Sequence, residues 1–424
     1  MANFQLFSSL DTEAIRDMVA QTPTAIKEFE MTMNDFTQDF LTEVLALETN
    51  NDNVVFSPFS LHTALAILTS GATDNSTTQR ELLSALGRVQ NIQGLELRYK
   101  SLLDEYLSME SLVHQMLSFG NGFWTAKRYY GKINGRFLEG LSSLYQIDVQ
   151  ALVSRNPEAQ INNWVKQQTQ GKIDQIINFV SPDVAFLIVN ALYFKAAWTV
   201  VFDKDPEPKE FTLKSGRKIQ VPMMSRTSFH NYAAKFTTDL LPNMNFLALA
   251  IPYADQFSED RFEMVILMPE NFKGLDFLSD SLKRLRDVPD RENIFDVAEK
   301  ALELPRLSRT EHIITMPSFN IDSSISVRDL LKKMGIVAAF DEGDFEGIVA
   351  NEPIKLSDVK HRAKIEVTPD GTSGAAATAI ELVSFAATFD VAREINIDRP
   401  FLFYIRDRRQ KAILFAGKYS NPLI

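Results

Sequence analysis

Apolar positions change their spacing along this chain. Phe36, Phe40 and Val44 recur at every fourth position with Leu41 and Leu45 beside them, which predicts an amphipathic helix in "MNDFTQDFLTEVLAL". Residues 12–30 before it are polar and helix-prone and read as an extension. In "NVVFSPFSLHTALAIL" a short apolar strand meets Ser57-Pro58, where a Ser cap and a Pro in the first turn open a second helix. Leu and Tyr at helical spacing carry further helix over residues 85–118, and "NPEAQINNWVKQQTQGKI" sets Ile161, Trp164 and Val165 on one helical face.

The pattern then turns to strands. "AFLIVNALYFKAAW" is apolar or aromatic almost throughout, as in a strand buried on both faces, and Asn190 sits in its middle. A buried amide needs partners, so Asn190 either fastens neighbouring strands or marks a place where strands separate. "EFTLKSG", "IQVPMM", "FLALAIPY" and "FEMVILMPE" are β-like segments broken by Gly, Pro and Asn. "SVRDLLKKMGI" predicts a late helix, "AKIEV" a strand running directly into the next tract, and "FLFYIRD" with "KAILFAGKY" a closing hairpin. Helices dominate the first part and strands the second, without βαβ alternation, which favours the α+β class.

"GTSGAAATAI", residues 371–380, fits none of these patterns. Gly371, Thr372, Ser373, Gly374 and the run Ala375, Ala376, Ala377 offer too little side-chain surface to anchor a core, yet the tract lacks the Pro, Lys and Glu of a disordered linker. Extended as a strand, it would place Thr372, Gly374, Ala376, Thr378, Ile380 and Leu382 on one face. The opposite face would carry Glu381, its only charge. It is built to fit a place that it does not have to occupy.

At 424 residues, 45% hydrophobic and 23% charged, with no composition shift or internal repeat, the chain reads as one large globular domain. A net charge of −11 argues against nucleic acid and anionic membrane surfaces, and the best basic cluster, Lys127, Arg128, Lys132 and Arg136, reads as a solvated face. No apolar run reaches the ~18 residues of a membrane span. The first residues lack a basic segment and a long enough apolar run for a signal peptide, so the chain is either cytosolic or a mature form with an added Met. Zero cysteines remove disulfides and thiol chemistry and leave the redox compartment unread. Asn75, in "NST", is the single glycosylation sequon and a weak pointer to secretion. No G-x-S-x-G, phosphate loop, H-E-x-x-H or dinucleotide fingerprint occurs, and the five histidines are scattered. Neither catalysis, a metal nor a cofactor is expected.

Five blocks in order, "VVFSPFSLHTALAILTSGA", "INNWVKQQTQGKI", "VNALYFKAAW", "IEVTPDGTSGAAATA" and "DRPFLFYIRDRRQKAILFAGKYSNP", resemble the serpins, the likeness running from about residue 33 to the C-terminus. The resemblance implies a serpin fold of about nine helices and three β-sheets, over residues 33–424 as a single domain behind an extension 1–32. It implies a metastable native state and an exposed reactive-centre loop at about 369–395, whose hinge is Gly371 to Thr378. A target serine protease would attack the loop, form an acyl-enzyme, and be distorted as the cut loop inserts into the central sheet.

Family spacing puts the residue before the scissile bond fourteen positions after Gly371, giving Phe385 and Ala386 and a chymotrypsin-like target. Counting from the C-terminal side leaves Phe389, while Arg393 lies too far along. Ser57, Ser60, Asn190 and His361 match the family's polar cluster beneath the sheet, and Trp198 the aromatic where insertion begins. Pro369 stands where the family usually has Glu, and Gly374 replaces an Ala; both would slow insertion. The family reading expects a monomeric inhibitor with no polyanion cofactor, of the extracellular, invertebrate kind, secreted or else cytoplasmic. The alternatives are a non-inhibitory carrier, storage or chaperone serpin, or an inhibitor of trypsin-like, elastase-like or cysteine proteases.

Overall fold

The computed structural model describes residues 22–47, 53–89, 92–110, 117–147, 149–205, 207–229, 231–254, 261–286, 288, 291–308, 310–372 and 393–423. Among them are eleven helices and three main sheets of six, four and seven strands, with a separate two-stranded ribbon. Two of the helices, Lys127–Tyr130 and Ala338–Asp341, are four-residue turns, so nine longer ones remain. The fold class is α+β.

Helix Pro23–Leu45 starts where the Thr22 side chain accepts a hydrogen bond from the Ala25 N–H and Pro23 opens the first turn. Phe29, Met33, Phe36 and Phe40 form one buried stripe along it. The packed body therefore begins before residue 33, because Phe29 reaches Tyr99 and His62 with edge-on ring contacts. The helix expected over 85–118 is Ile92–Glu110, and a strand, Leu117–Ala126, follows it.

Helix Pro58–Gly71 runs between two sheets, touching Phe186–Phe194 of the seven-stranded sheet and Ala412–Tyr419 of the six-stranded one. Every residue in it except Ser70 is buried, and polar side chains among them are partnered, Thr63 donating to Phe59 O, Thr69 to Leu65 O, and His62 Nε2 lying 3.1 Å from Leu86 O. The Ser57 side chain accepts from the Ser60 N–H, as its capping position requires.

The seven-stranded sheet runs Val149–Leu152, Leu117–Ala126, Phe186–Phe194, Leu356–Thr368, with Phe319–Ser326 on the far side of Leu356–Thr368. Its two middle strands, Phe186–Phe194 and Leu356–Thr368, are parallel. Alternation assigns their faces. Phe186, Ile188, Leu192 and Phe194 join the main core, whereas Leu187, Val189 and Ala191 pack under helix Pro157–Gln168 in a second core with Ile161, Val165 and Ile177. Asn190 falls on the main-core side.

Candidate functional site

Two arrangements lie on the line between the middle strands. The first is polar and central. In register across three strands stand Asn121, Asn190 and His361. Asn190 Nδ2 donates to Ser60 O and to Asn121 Oδ1, both at 2.8 Å, while its Oδ1 lies 3.0 Å from His361 Nδ1. The Ser57 N–H donates to His361 Nε2 at 3.0 Å. Nε2 is thus an acceptor, which fixes the proton on Nδ1 and makes His361 a neutral donor to Asn190. Burial pushes its pKa down to about 3. Ser57, Ser60, Asn190 and His361, the set that the serpin resemblance groups, lie within hydrogen-bonding reach of one another through these contacts. Asn121 joins them unforeseen.

The second arrangement closes the end of the same strand pair. After Leu356–Thr368 the chain does not run straight on as expected. It turns through Pro369 and Asp370 and comes back, so that Gly371 pairs antiparallel with Thr368 and Thr372 with Val367. The same two residues pair on their other side with Ala196 and Ala197. Gly371 and Thr372 therefore already occupy the gap where the two middle strands part. A Cβ on Gly371 would stand 2.2 Å from Ala196 O, so only glycine admits this approach.

Aromatic rings hold the place. Trp198, fully buried, stacks on Tyr253 at 4.4 Å between centroids and donates from Nε1 to Thr368 O at 2.9 Å. The Tyr253 hydroxyl lies 2.7 Å from Thr372 Oγ1, and burial pushes its pKa far up, so it stays protonated. Pro369 lacks a ladder N–H, but its carbonyl accepts from the Phe202 N–H at 2.9 Å. Tyr253 was not singled out by sequence. Its only signal is its place at the end of the apolar run "FLALAIPY".

Ser373, Gly374, Ala375, Ala376, Ala377, Thr378, Phe385, Ala386 and Phe389 lie outside the described residues. Asn75 is exposed in the turn before helix Thr77–Ala85, with its φ at 59°. The basic cluster is partly engaged, since Arg128 donates to Val184 O and Lys132 pairs with Glu352. No described group of His, Asp and Glu could hold a metal ion, and no described helix is long and apolar enough to cross a membrane.

This geometry, a parallel strand pair with a small-residue segment entering its open end over a polar fastening, defines a serpin. The family model for serpins, serine protease inhibitors, matches residues 31–422, and the chain belongs to that family of inhibitors rather than enzymes. An uncharacterised serpin-like protein of the archaeon Thermococcus kodakarensis is 32% identical over 400 residues, covering 92% of this chain and 85% of the relative. The native stressed conformation of Arabidopsis AtSerpin1 superposes with a TM-score of 0.76 at 23% identity, covering 94% of this chain and 99% of that one. Human thyroxine-binding globulin complexed with thyroxine gives 0.74 at 24%, covering 94% and 99%. At such identities the two structures speak for the fold alone.

Proposed function

We propose that the chain is a suicide-substrate inhibitor of a chymotrypsin-like serine protease, cut between Phe385 and Ala386. The observation that carries this reading is the double pairing of Gly371 and Thr372, to Val367–Thr368 on one side and Ala196–Ala197 on the other. A strand that would fill the sheet has its first two residues already threaded between the strands it must separate. Serpin loop insertion is itself an instance of strand addition to a sheet.

The energetics favour a tract of small residues. Each new ladder bond contributes about 0.5–1.5 kcal/mol net against roughly 1–2 kcal/mol of backbone entropy per ordered residue. Burial of Ile380 and Leu382 adds about 1.5–3 kcal/mol each, and relief of strain in the open sheet supplies the remainder. Smallness at Ser373, Gly374, Ala375, Ala376, Ala377 and Thr378 lets the strand pass between packed neighbours.

A carrier role is the second reading. It is the weaker one, because the hinge keeps residues suited to insertion. We place the inhibitor outside the cell, a reading that the exposed sequon at Asn75 supports, and propose that it acts as a monomer. Incubation with chymotrypsin followed by a denaturing gel tests the proposal. A covalent complex of the two masses is expected, whereas clean cleavage with no complex would leave the carrier role.

A further inference from the structure

Three helices meet around a cavity far from the hinge in sequence and unlike it in chemistry. They are Pro58–Gly71 near its end, Ile92–Glu110 near its start, and Gly135–Tyr145 along one face. Gly347 closes a further side, where a Cβ would stand 2.8 Å from Gly71 O, and the Asn134 N–H donates to Ile348 O at 2.8 Å, holding the start of helix Gly135–Tyr145 to the same segment. The cavity holds about 320 Å³, at the low end of the roughly 300–1,000 Å³ of small-molecule sites. Phe137, Leu141 and Leu144 give it an apolar wall. Gly140 leaves that wall open, since a Cβ built on it meets nothing within 4 Å.

One charge inside is unanswered. Glu96 is half-buried, and its Oε1 accepts a hydrogen bond from the Ser70 hydroxyl at 2.5 Å. The Tyr145 hydroxyl lies 3.4 Å from the same Ser70 oxygen, so three polar groups converge at the C-terminal end of helix Gly135–Tyr145. No cation among the described residues pairs with Glu96, and burial raises its carboxyl pKa against the opposing Ser70 bond. A desolvated carboxylate without a counter-charge costs stability, and here space for a cation lies beside it. Arg136, exposed at the other end of the helix, also lines the cavity and has no described side-chain partner. Arg136 and Tyr145 stand roughly 13 Å apart along the helix axis, so the two unanswered charges are well separated.

We propose that this cavity binds an ω-amino acid, with its ammonium on Glu96, its aliphatic chain along Phe137, Leu141 and Leu144, and its carboxylate on Arg136. An ammonium supplies the missing counter-charge and three donors, for which the Glu96, Ser70 and Tyr145 oxygens are the acceptors. An α-amino acid, with both charges beside one carbon, reaches only one of the two ends.

6-Aminohexanoate is the probe, titrated into the full chain with no protease present. Ligand-observed NMR should give saturable binding with Kd about 1 mM or tighter. Hexylamine, which lacks the carboxylate, should bind several-fold more weakly, and hexanoate, which lacks the ammonium, about tenfold more weakly or worse. Glu96→Gln keeps an acceptor for the Ser70 hydroxyl but removes the charge. It should weaken 6-aminohexanoate about tenfold or more while raising the urea midpoint of the free protein, because burial no longer acts on a lone carboxylate. Gly140→Leu fills the cavity and favours the helix, so binding should vanish from a protein that unfolds at the same urea concentration or a higher one. Absence of saturable binding, or a folded Gly140→Leu protein that still binds, overturns the site. Hexanoate binding as well as 6-aminohexanoate overturns the Glu96 pairing, and hexylamine binding as well overturns the Arg136 contact.

Discussion

The Tyr253 hydroxyl stands 2.7 Å from the Thr372 hydroxyl, joining the end of a strand in the six-stranded sheet to the second residue of the hinge. Both groups are buried, so neither has water as an alternative partner. Tyr253→Phe leaves the Thr372 hydroxyl without this partner, at a cost of about 1–3 kcal/mol borne by the docked hinge. Amide exchange at Gly371 and Thr372 should accelerate by one to two orders of magnitude while the sheet interior is unchanged. Unaltered exchange would mean that the hydroxyl pair holds nothing.

Gly371→Ala acts on the same seat by a different route. Its Cβ would meet the backbone oxygen of Ala196, which a rotamer change cannot relieve. The hinge should leave the gap, exposing Trp198 and Tyr253 and shifting tryptophan emission to the red. An unshifted spectrum with normal exchange protection at Thr372 would show that the gap tolerates a methyl group.

Thr372→Arg puts a charge where the wild-type side chain is fully buried beside Tyr253. The cut loop should then fail to enter, and the protein should turn over as a substrate. Covalent complex with chymotrypsin should drop at least tenfold, with cleavage still at Phe385. Undiminished complex would separate insertion from the Thr372 position.

Asn190→Ala removes three hydrogen bonds and leaves Nδ1–H of His361 and the Ser60 carbonyl without that partner. A loss of about 2–4 kcal/mol in urea unfolding is expected. Because the fastening lies between the two strands that separate, the variant should also self-associate faster on warming, by loop entry into a neighbour's sheet.

Acid should weaken the fold through two imidazoles. Burial lowers the pKa of His361 to about 3 and that of His62 to about 4. Below about pH 6.5 the unfolded chain binds protons that these folded sites refuse, so stability is full above that pH and falls as the pH drops towards 4. Each contributes a loss of up to about 2 kcal/mol by pH 5. Urea midpoints at pH 7 and pH 5 measure the slope, and His361→Gln should reduce it.

Much of this was legible in the sequence because the signals are local. Ser57-Pro58 announces a capped helix, and an amide in the middle of an apolar strand announces a polar fastening. What escaped depends on register. Asn121 matters only because it falls opposite Asn190, a pairing between strands that no local pattern specifies. The turn before Gly371 is carried by Pro369-Asp370-Gly371, strong turn chemistry whose signal is outweighed by the strand-like alternation of the small residues that follow it. Phe29 and Met33 extend the buried stripe of Phe36 and Phe40 about two turns further back, and polar neighbours mask that continuation.

The central claim is that the native sheet is an unfinished one, stable only until its own severed segment completes it. The direct measurement is the thermal midpoint of the isolated protein before and after a single cut within residues 373–392. Completion of the sheet predicts a rise of roughly ten degrees or more. A cut protein that melts at the same temperature as the intact one, or lower, would contradict it.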